Sequence, residues 1–221
     1  MFSGRKFAAF LFDMDGTILN SIAAAERVWT QWAQRQGLDV ATFLPTIHGK
    51  RAVETIAALM LPGVDAVAEA DALLKAEAAD LEGIVPIPGA VAFLKSLPPE
   101  RWAIVTSAPR ELALLRMQAA GIPVPAMIVS AEDVTRGKPA PDCFLLAARR
   151  LGVEPRDCLV FEDAPAGIAA GEASGASVMV ISATHTHPMQ TSHASIASYD
   201  ALGTALDDTG WIVLGPQRDA A

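Results

Sequence analysis

The sequence has few cysteines, and this shortage limits the kind of protein it can encode. Only two of its 221 residues are cysteines, Cys143 and Cys158. Neither has a second cysteine or a histidine at metal-ligand spacing, so a cysteine-based zinc site and a disulfide-rich scaffold are both disfavoured. We therefore predict that the two thiols are buried and free, in a protein of a reducing compartment.

Basic residues are also scarce. The chain has 17 lysines and arginines against 25 aspartates and glutamates, and its formal net charge is −8. A general nucleic-acid binder presents a basic face, so this balance argues against a nucleic-acid partner. It does not argue against an anionic substrate, because a metal ion and a few well-placed cations reverse the potential locally.

Long apolar runs are missing as well. None reaches the length that a membrane span requires. The apolar stretch after the basic N-terminal segment 1–6 is interrupted by Asp13 and Asp15, which is not typical of a signal peptide. From these absences we expect a cytoplasmic protein with no membrane partner.

What the chain does contain is an alternation of short apolar runs and helical patterns. Runs typical of buried strands lie at 7–12, 102–105, 126–129, 158–161 and 178–181, with a further edge strand expected at 211–214. Helical patterns lie between them at 89–97, 109–120, 141–151 and 164–173. This alternation predicts an α/β fold, a Rossmann-like doubly wound parallel sheet with helices on both faces.

Residues 20–85 break the alternation. Helical patterns lie there at 22–36, 50–60 and 65–81, and no strand is expected among them. The segment Pro86-Ile87-Pro88-Gly89 cannot continue a helix and marks the return to the sheet. We therefore predict a core formed by 1–19 and 86–221, an inserted α-helical cap at 20–85, and a frayed end at 216–221.

The most informative segment is the apolar run 9–12, which ends in Asp13 and Asp15 and is followed by a Gly-Thr turn. Residues i and i+2 of an extended chain point the same way, so the strand directs both carboxylates towards one place. Two negative charges at such a short distance from each other cost free energy unless a cation, a basic group or a shared proton compensates them. The plainer interpretation is a strand end followed by an ordinary Asx turn.

Other polar residues follow the remaining strand patterns. Thr106 and Ser107 end one run, Glu162 and Asp163 end another, and Lys138 precedes a helix. Ligands of an open parallel sheet bind beyond the carboxyl ends of its strands. Carboxylate ligands suit Mg²⁺, and together with a lysine and a hydroxyl they are typical of a phosphoryl-transfer site. Taken singly, these residues are also explained by helix capping, by a helix dipole or by a solvated loop lysine.

In these motifs the chain resembles the haloacid dehalogenase-like (HAD) superfamily, in its phosphatase branch with a helical cap after the first motif. Four motifs occur in the family's order across nearly the whole chain. They are Asp13-Met14-Asp15-Gly16-Thr17, then Thr106, then Lys138 in Gly-Lys-Pro-Ala-Pro-Asp, then Glu162-Asp163.

The resemblance implies a role for each matching residue. Asp13 is expected to be the nucleophile that forms an aspartyl-phosphate, and Asp15 the general acid and base. Thr106 is expected to donate a hydrogen bond to a phosphoryl oxygen, and Lys138 to neutralise charge on Asp13 and the phosphoryl group. The expected Mg²⁺ ligands are Asp13, the backbone carbonyl of Asp15, Asp163, and Glu162 directly or through water.

Substrate choice in this branch is expected to lie with the cap. The loop His48-Gly49-Lys50-Arg51 is the best candidate for it, although a helix start with surface cations explains it equally well. The expected substrate-binding residues are Thr106, Ser107, Lys138, His48, Lys50 and Arg51. The chain looks like the bacterial sugar phosphatases and is similar to glycerol-3-phosphate and 2-deoxyglucose-6-phosphate phosphatases. That resemblance implies a small phosphorylated metabolite, a sugar or a polyol, as the substrate.

Two alternatives stay open at this point. A phosphosugar mutase of the β-phosphoglucomutase type carries a cap histidine ten residues after its general acid, where this chain has Ala25. A non-catalytic HAD-like binding protein would lose the nucleophile or the metal ligands, and this sequence keeps both. The sequence does not fix the oligomeric state, for which a monomer is favoured.

Overall fold

The computed structural model describes residues 5–216. Its strands are β1 (Lys6–Phe7), β2 (Ala9–Phe12), β3 (Leu19–Asn20), β4 (Val85–Pro86), β5 (Trp102–Val105), β6 (Ile128–Val129), β7 (Cys158–Glu162), β8 (Ser177–Ile181), β9 (Ala194–Ile196), β10 (Leu202–Leu206) and β11 (Ile212–Pro216). Its α-helices are α1 (Ile22–Arg35), α2 (Val40–Phe43), α3 (Ala52–Ala58), α4 (Ala66–Ala79), α5 (Ala90–Ser96), α6 (Arg110–Ala119), α7 (Asp142–Leu151) and α8 (Pro165–Ser174). Pro216 lies in β11 rather than in a frayed end, and the rest of the segment predicted to fray lies outside the described residues.

The central sheet has six strands in the order β6-β5-β2-β7-β8-β9. Each neighbouring pair in it is parallel. Helices cover both faces, so the predicted doubly wound, Rossmann-like α/β fold is confirmed. Strand β2, which carries the two aspartates at its end, lies between β5 and β7 in the middle of the sheet.

Side-chain alternation along β2 explains how one short strand serves two cores. Phe10 and Phe12 point into the core beneath α5 and α6, while Ala9 and Leu11 point into the core beneath α7 and α8. This is the two-residue period of an extended chain buried on both faces. The Phe12 ring stacks on Phe161 of β7, with 4.4 Å between the ring centroids. Strand β2 is therefore packed on both faces at the point from which Asp13 emerges.

The prediction that residues 211–214 form an edge strand is wrong about where this strand lies. The observed strand, β11, pairs antiparallel with β1 and β10 in a separate three-stranded sheet. The sixth strand of the central sheet is β9, Ala194–Ile196, which pairs with β8. Three residues with a central exposed serine carry too little apolar periodicity to be recognised from the sequence.

Helices α1 to α4 form a separate cluster over one end of the sheet. Trp29 and Trp32 pack against each other, with 5.6 Å between the ring centroids, and both contact Phe43. No strand lies among these helices, and the antiparallel strands β3 and β4 stand at the two ends of the segment, where the sequence did not predict them. Each has only two residues, which is too short for a periodic pattern. No helix among residues 5–216 is long and apolar enough to cross a membrane.

Candidate active site

The carboxyl ends of three neighbouring strands bring the predicted residues together. Asp13 follows β2, Thr106 follows β5, and Glu162 ends β7 with Asp163 directly behind it. Lys138 lies in the loop between β6 and α7. The side chains of all five are buried, with at most 6% of each residue exposed. The four separated motifs thus meet at one edge of the sheet, where an open α/β sheet binds its ligands.

Lys138 is the cation at the centre of this group. Its Nζ lies 2.5 Å from Asp13 Oδ1 and 2.7 Å from Glu162 Oε1, and it donates to the backbone carbonyl of Val105 at 3.0 Å. Burial opposes its charged form, but the two carboxylates outweigh burial and raise the pKa of Lys138. Lys138 is therefore not the solvated loop lysine of the plainer interpretation.

Asp13, Glu162 and Asp163 form a buried acidic cluster. One oxygen of each lies within 4.8 Å of the others. Burial raises the pKa of Asp13 to about 7, although Lys138 opposes the shift. Burial and the neighbouring Glu162 and Asp13 raise the pKa of Asp163 as well. Ionisation of all three carboxylates beside one ammonium would leave two uncompensated negative charges, so the deprotonated cluster fits a divalent cation.

Hydrogen bonds decide which oxygens of the cluster are free for a cation. Glu162 uses both of its oxygens, since Oε1 accepts from Lys138 and Oε2 accepts from the amides of Asp163 and Ala164. Asp163 Oδ1 accepts from Thr17 Oγ1 at 3.1 Å. Among the described residues, Oδ2 of Asp13 and Oδ2 of Asp163 accept no hydrogen bond, so they are the oxygens best placed to hold a metal ion.

Two glycines make room for the cluster. A Cβ on Gly16 would lie 2.0 Å from Asp163 Oδ2, and one on Gly167 would lie 1.6 Å from Glu162 Oε1. Gly16 also has φ +84°, a backbone conformation that side chains other than glycine's disfavour. The Gly-Thr turn after Asp15 therefore serves the acidic cluster as well as the chain reversal.

Asp15 is held by two donors on one oxygen. Ser21 Oγ lies 2.5 Å from Asp15 Oδ1, and Arg116 Nη1 lies 3.0 Å from the same atom. Arg116 also donates through Nη2 to Glu77 Oε1 at 3.1 Å. Sequence reasoning missed both Arg116 and Glu77, which lie in ordinary helical patterns. No local signal marks them, because Asp15 and Arg116 are 101 residues apart in the chain.

A cavity of about 90 Å³ lies beside Asp13, Asp15 and Thr106, between the sheet edge and helices α1, α3 and α4. His48 and Lys50 line it, as expected. The structure does not bring Arg51 to it, because its guanidinium donates to backbone carbonyls of the loop before Lys138, those of Val134 at 2.9 Å and Thr135 at 2.6 Å. Arg51 therefore ties the inserted helices to the core instead of facing a substrate.

Thr106 and Ser107 also differ in the groups that their hydroxyls contact. Ser107 lines the cavity, but its hydroxyl donates to the carbonyl of Gly49 in the loop between the inserted helices, at 3.0 Å. Thr106 Oγ1 accepts from the amide of Ala108 at 3.0 Å, which is a turn contact two residues along the chain and not the helix cap of the plainer interpretation, because α6 begins after Pro109 without a side-chain cap. Because the oxygen is the acceptor there, the hydroxyl proton of Thr106 stays available for another group.

Comparison with known proteins agrees with this geometry. The family model described as haloacid dehalogenase-like hydrolase matches residues 7–175. Hexitol phosphatase A of Escherichia coli (strain K12) is 44% identical over 183 residues, which cover 81% of this chain and 85% of that protein. Glycerol-1-phosphate phosphohydrolase 2 of Saccharomyces cerevisiae is 34% identical over 192 residues, 81% of this chain and 76% of its own length.

A solved structure supports the same relationship. It is the HAD family hydrolase from Deinococcus radiodurans R1 with bound phosphate and sodium, which superimposes with a TM-score of 0.62 at 29% identity. The match covers 87% of this chain and 91% of that one. Since the family model spans most of the chain and the motifs meet in one buried site, the chain belongs to the haloacid dehalogenase-like hydrolase family.

Proposed function

We propose that this chain is a Mg²⁺-dependent phosphatase that hydrolyses small phosphorylated sugars or polyols through an aspartyl-phosphate on Asp13. The observation that carries the proposal is the contact of Lys138 with Asp13 beside the acidic cluster. A carboxylate attacks an anionic phosphate only where cations cancel their repulsion. The relatives described above are named for phosphates of a hexitol and of glycerol.

In the first step an oxygen of Asp13 attacks phosphorus, and the bond from phosphorus to the ester oxygen breaks. Asp15 gives its proton to the departing oxygen, so that an alcohol leaves rather than an alkoxide. Thr106 donates its hydroxyl proton to a phosphoryl oxygen, and Lys138 stabilises the charge that develops there. The product of this step is phosphorylated Asp13 and a free sugar or polyol.

In the second step a water molecule attacks the phosphorylated Asp13. Asp15, now ionised, takes a proton from that water as its oxygen bonds to phosphorus. The bond between Asp13 and phosphorus breaks, and inorganic phosphate leaves. Asp13 and Asp15 return to their starting states, and a positioned acid and base of this kind contributes roughly 10²–10⁴-fold to the rate.

Mg²⁺ is the metal ion that fits the cluster, because its donors are carboxylate oxygens beside a phosphate subsite. Asp13 and Asp163 would hold it through their free oxygens, together with the backbone carbonyl of Asp15. Glu162 would reach it through water, since both of its oxygens already accept hydrogen bonds. When bound, Mg²⁺ supplies Lewis-acid compensation of the phosphoryl charge.

The cavity is the place where the leaving group would lie. Its volume of about 90 Å³ has room for several water molecules, so a small polyol can enter it. The polar groups on its wall, His48, Lys50 and Glu77 among them, match hydroxyl groups rather than an apolar ligand.

We further propose that residues 20–85 act as a cap over a core formed by 1–19 and 86–221. Ser107, Arg51 and Arg116 each bond across the boundary between the two. Closure of this kind excludes water from the phosphoryl group during transfer. A monomeric state, a cytoplasmic location and the absence of a nucleic-acid partner stay predictions from the sequence.

The mutase alternative is not favoured. At the position of its cap histidine this chain has Ala25, which lines the cavity with a methyl group and cannot carry a proton. The non-catalytic alternative is not favoured either, because Asp13 and Asp15 are retained and Lys138, Glu162 and Asp163 are buried beside Asp13.

The proposal is tested by measuring phosphate release from a panel of sugar and polyol phosphates, with Mg²⁺ and with excess EDTA. We expect hydrolysis of several small substrates with Mg²⁺ and none with EDTA. In Asp13→Asn, turnover is expected to be lost while circular dichroism and the thermal transition show a folded chain. Turnover retained in that variant contradicts the nucleophile, and binding of the panel without any phosphate release favours the non-catalytic alternative.

A further inference from the structure

Arg116 joins the proposed general acid to the inserted helices. It lies on α6, and its guanidinium contacts Asp15 Oδ1 through Nη1 and Glu77 Oε1 of α4 through Nη2. The residue is only 5% exposed. One buried cation therefore bridges a carboxylate of the core and a carboxylate of the cap.

The bridge made by Arg116 depends on the position of α4, because α4 carries Glu77, one of its two carboxylate partners. Burial raises the pKa of Glu77, and the charge of Asp15 adds to the shift while Arg116 opposes it. Without the guanidinium, two carboxylates would face each other in a site of low polarity, which is costly. Without Glu77, half of the fork of Arg116 would lose its partner.

The contacts also leave one oxygen of Asp15 free. Ser21 and Arg116 both hold Oδ1, and Oδ2 accepts no hydrogen bond from the described residues. Asp15 lines the cavity in which the leaving group would lie. A carboxyl group fixed through one oxygen presents the other in a defined direction, which proton transfer to a departing oxygen requires.

We propose that Arg116 is a positioning residue for Asp15, and that Glu77 makes this positioning depend on closure of the cap. The proposal rests on the proposed phosphatase function. Arg116 lines the same cavity, but its two terminal nitrogens donate to Asp15 and Glu77 rather than to Asp13. It holds Oδ1 of Asp15 so that the proton on Oδ2 points at the ester oxygen when the inserted helices are docked.

The test uses two small substrates that differ in their need for a proton. Glycerol 1-phosphate releases an alkoxide unless Asp15 protonates it, whereas acetyl phosphate releases acetate, which leaves as a stable anion. In Arg116→Ala we expect kcat/KM for glycerol 1-phosphate, which covers the steps up to release of the alcohol, to fall about 10–100-fold, a part of what a general acid contributes. For acetyl phosphate we expect kcat/KM to change by less than about threefold, because acetate leaves without a proton from Asp15. Hydrolysis of phosphorylated Asp13 is common to both substrates and does not enter kcat/KM.

Matched variants separate positioning from general damage. Arg110→Ala removes a guanidinium from the same helix, where it donates to the Ile128 carbonyl and to Asp133, and we expect it to change both substrates alike. Glu77→Gln keeps the size of the side chain but removes its charge, and we expect the bias of Arg116→Ala in weaker form. If Arg116→Ala does not fold, Arg116→Lys and Glu77→Gln carry the same comparison.

The outcomes distinguish this inference from the proposed function. If the unaltered protein hydrolyses both substrates but the Arg116 and Glu77 variants lose kcat/KM equally for both substrates, or for neither, the positioning role is overturned and the phosphatase stands. If the unaltered protein with Mg²⁺ releases phosphate from neither substrate nor from any other of the panel, the proposed function fails and this inference fails with it.

Discussion

Lys138 Nζ lies 2.5 Å from Asp13 Oδ1, and both side chains are almost fully buried. The pair comes from residues that are 125 positions apart in the chain. It places a permanent positive charge beside the proposed nucleophile, in a site where water screens poorly. The ammonium also contacts Glu162, so that one cation organises two of the three clustered carboxylates.

The first prediction follows from this pair. Lys138→Met keeps the length of the side chain but removes its charge, so we expect kcat/KM for any phosphate ester to fall by about 10²–10³-fold. The metal-free variant is expected to lose about 3–5 kcal/mol of unfolding free energy, because buried carboxylates lose their partner. Lys75→Met, which removes an exposed ammonium from α4, is the control and should change neither quantity. Near-normal kcat/KM in Lys138→Met would contradict the role of the ammonium.

The second prediction concerns pH and metal. In the metal-free protein the pKa of Asp13 is about 7 against an ordinary 3.8, so the folded chain keeps a proton that the unfolded chain releases above about pH 4. Unfolding free energy should therefore fall as the pH rises from about 4 to 7, by about 4 kcal/mol from Asp13 alone. The raised pKa of Asp163 also makes the unfolding free energy fall as the pH rises.

Mg²⁺ should reverse this loss, because a cation binds the deprotonated cluster. Urea unfolding at pH 5 and at pH 7.5, with and without Mg²⁺, is the measurement. We expect a larger stabilisation by Mg²⁺ at pH 7.5, and a flatter pH profile of the metal-free chain in Asp13→Asn. Equal stabilisation by Mg²⁺ at the two pH values would argue against a cation at this cluster.

The third prediction separates two neighbouring cap residues. Lys50 lines the cavity, whereas Arg51 donates to core carbonyls beside Lys138. Lys50→Ala should therefore change the ranking of sugar and polyol phosphates by kcat/KM. Arg51→Ala should lower kcat/KM for all of them by a similar factor, since weaker docking of the cap affects every substrate. The opposite pattern, with Arg51→Ala altering the ranking, would place its guanidinium at the substrate.

Short-range patterns predicted where most of the core motifs lie, and the resemblance to the family supplied their roles. A short apolar run stopped by a turn predicted that Asp13 ends a strand, and a parallel sheet brings such ends together. The partners of Asp15 could not be predicted in this way. Arg116 and Glu77 lie on helices whose local patterns look ordinary, and only their packing across the sheet edge joins them.

The same reasoning explains the errors at the sheet edges. Strand β9 has three residues and the pair β3 and β4 has two each, so their pairing rests on backbone bonds to neighbours rather than on a hydrophobic pattern. Arg51 was expected at the substrate because charge and position in the sequence suggest it. Its direction is set instead by carbonyl groups of a loop more than 80 positions away.

The last prediction compares two glycines that share a backbone conformation. Gly16 has φ +84° and Gly175 has φ +83°, but a Cβ at Gly16 would lie 2.0 Å from Asp163 Oδ2 while one at Gly175 meets nothing within 4 Å. Gly16→Ala and Gly175→Ala therefore carry a similar backbone strain of about 1–2 kcal/mol, and they differ in the displacement of one carboxylate.

Thermal unfolding without metal should show that both variants are less stable than the unaltered chain. Only Gly16→Ala should also raise the Mg²⁺ concentration for half-maximal activity, by about tenfold or more, as expected when a ligand is moved from its place. If Gly175→Ala raised that concentration equally, backbone strain alone would account for the effect. A normal Mg²⁺ requirement in a folded Gly16→Ala would mean that Asp163 is not held against this turn when the metal binds.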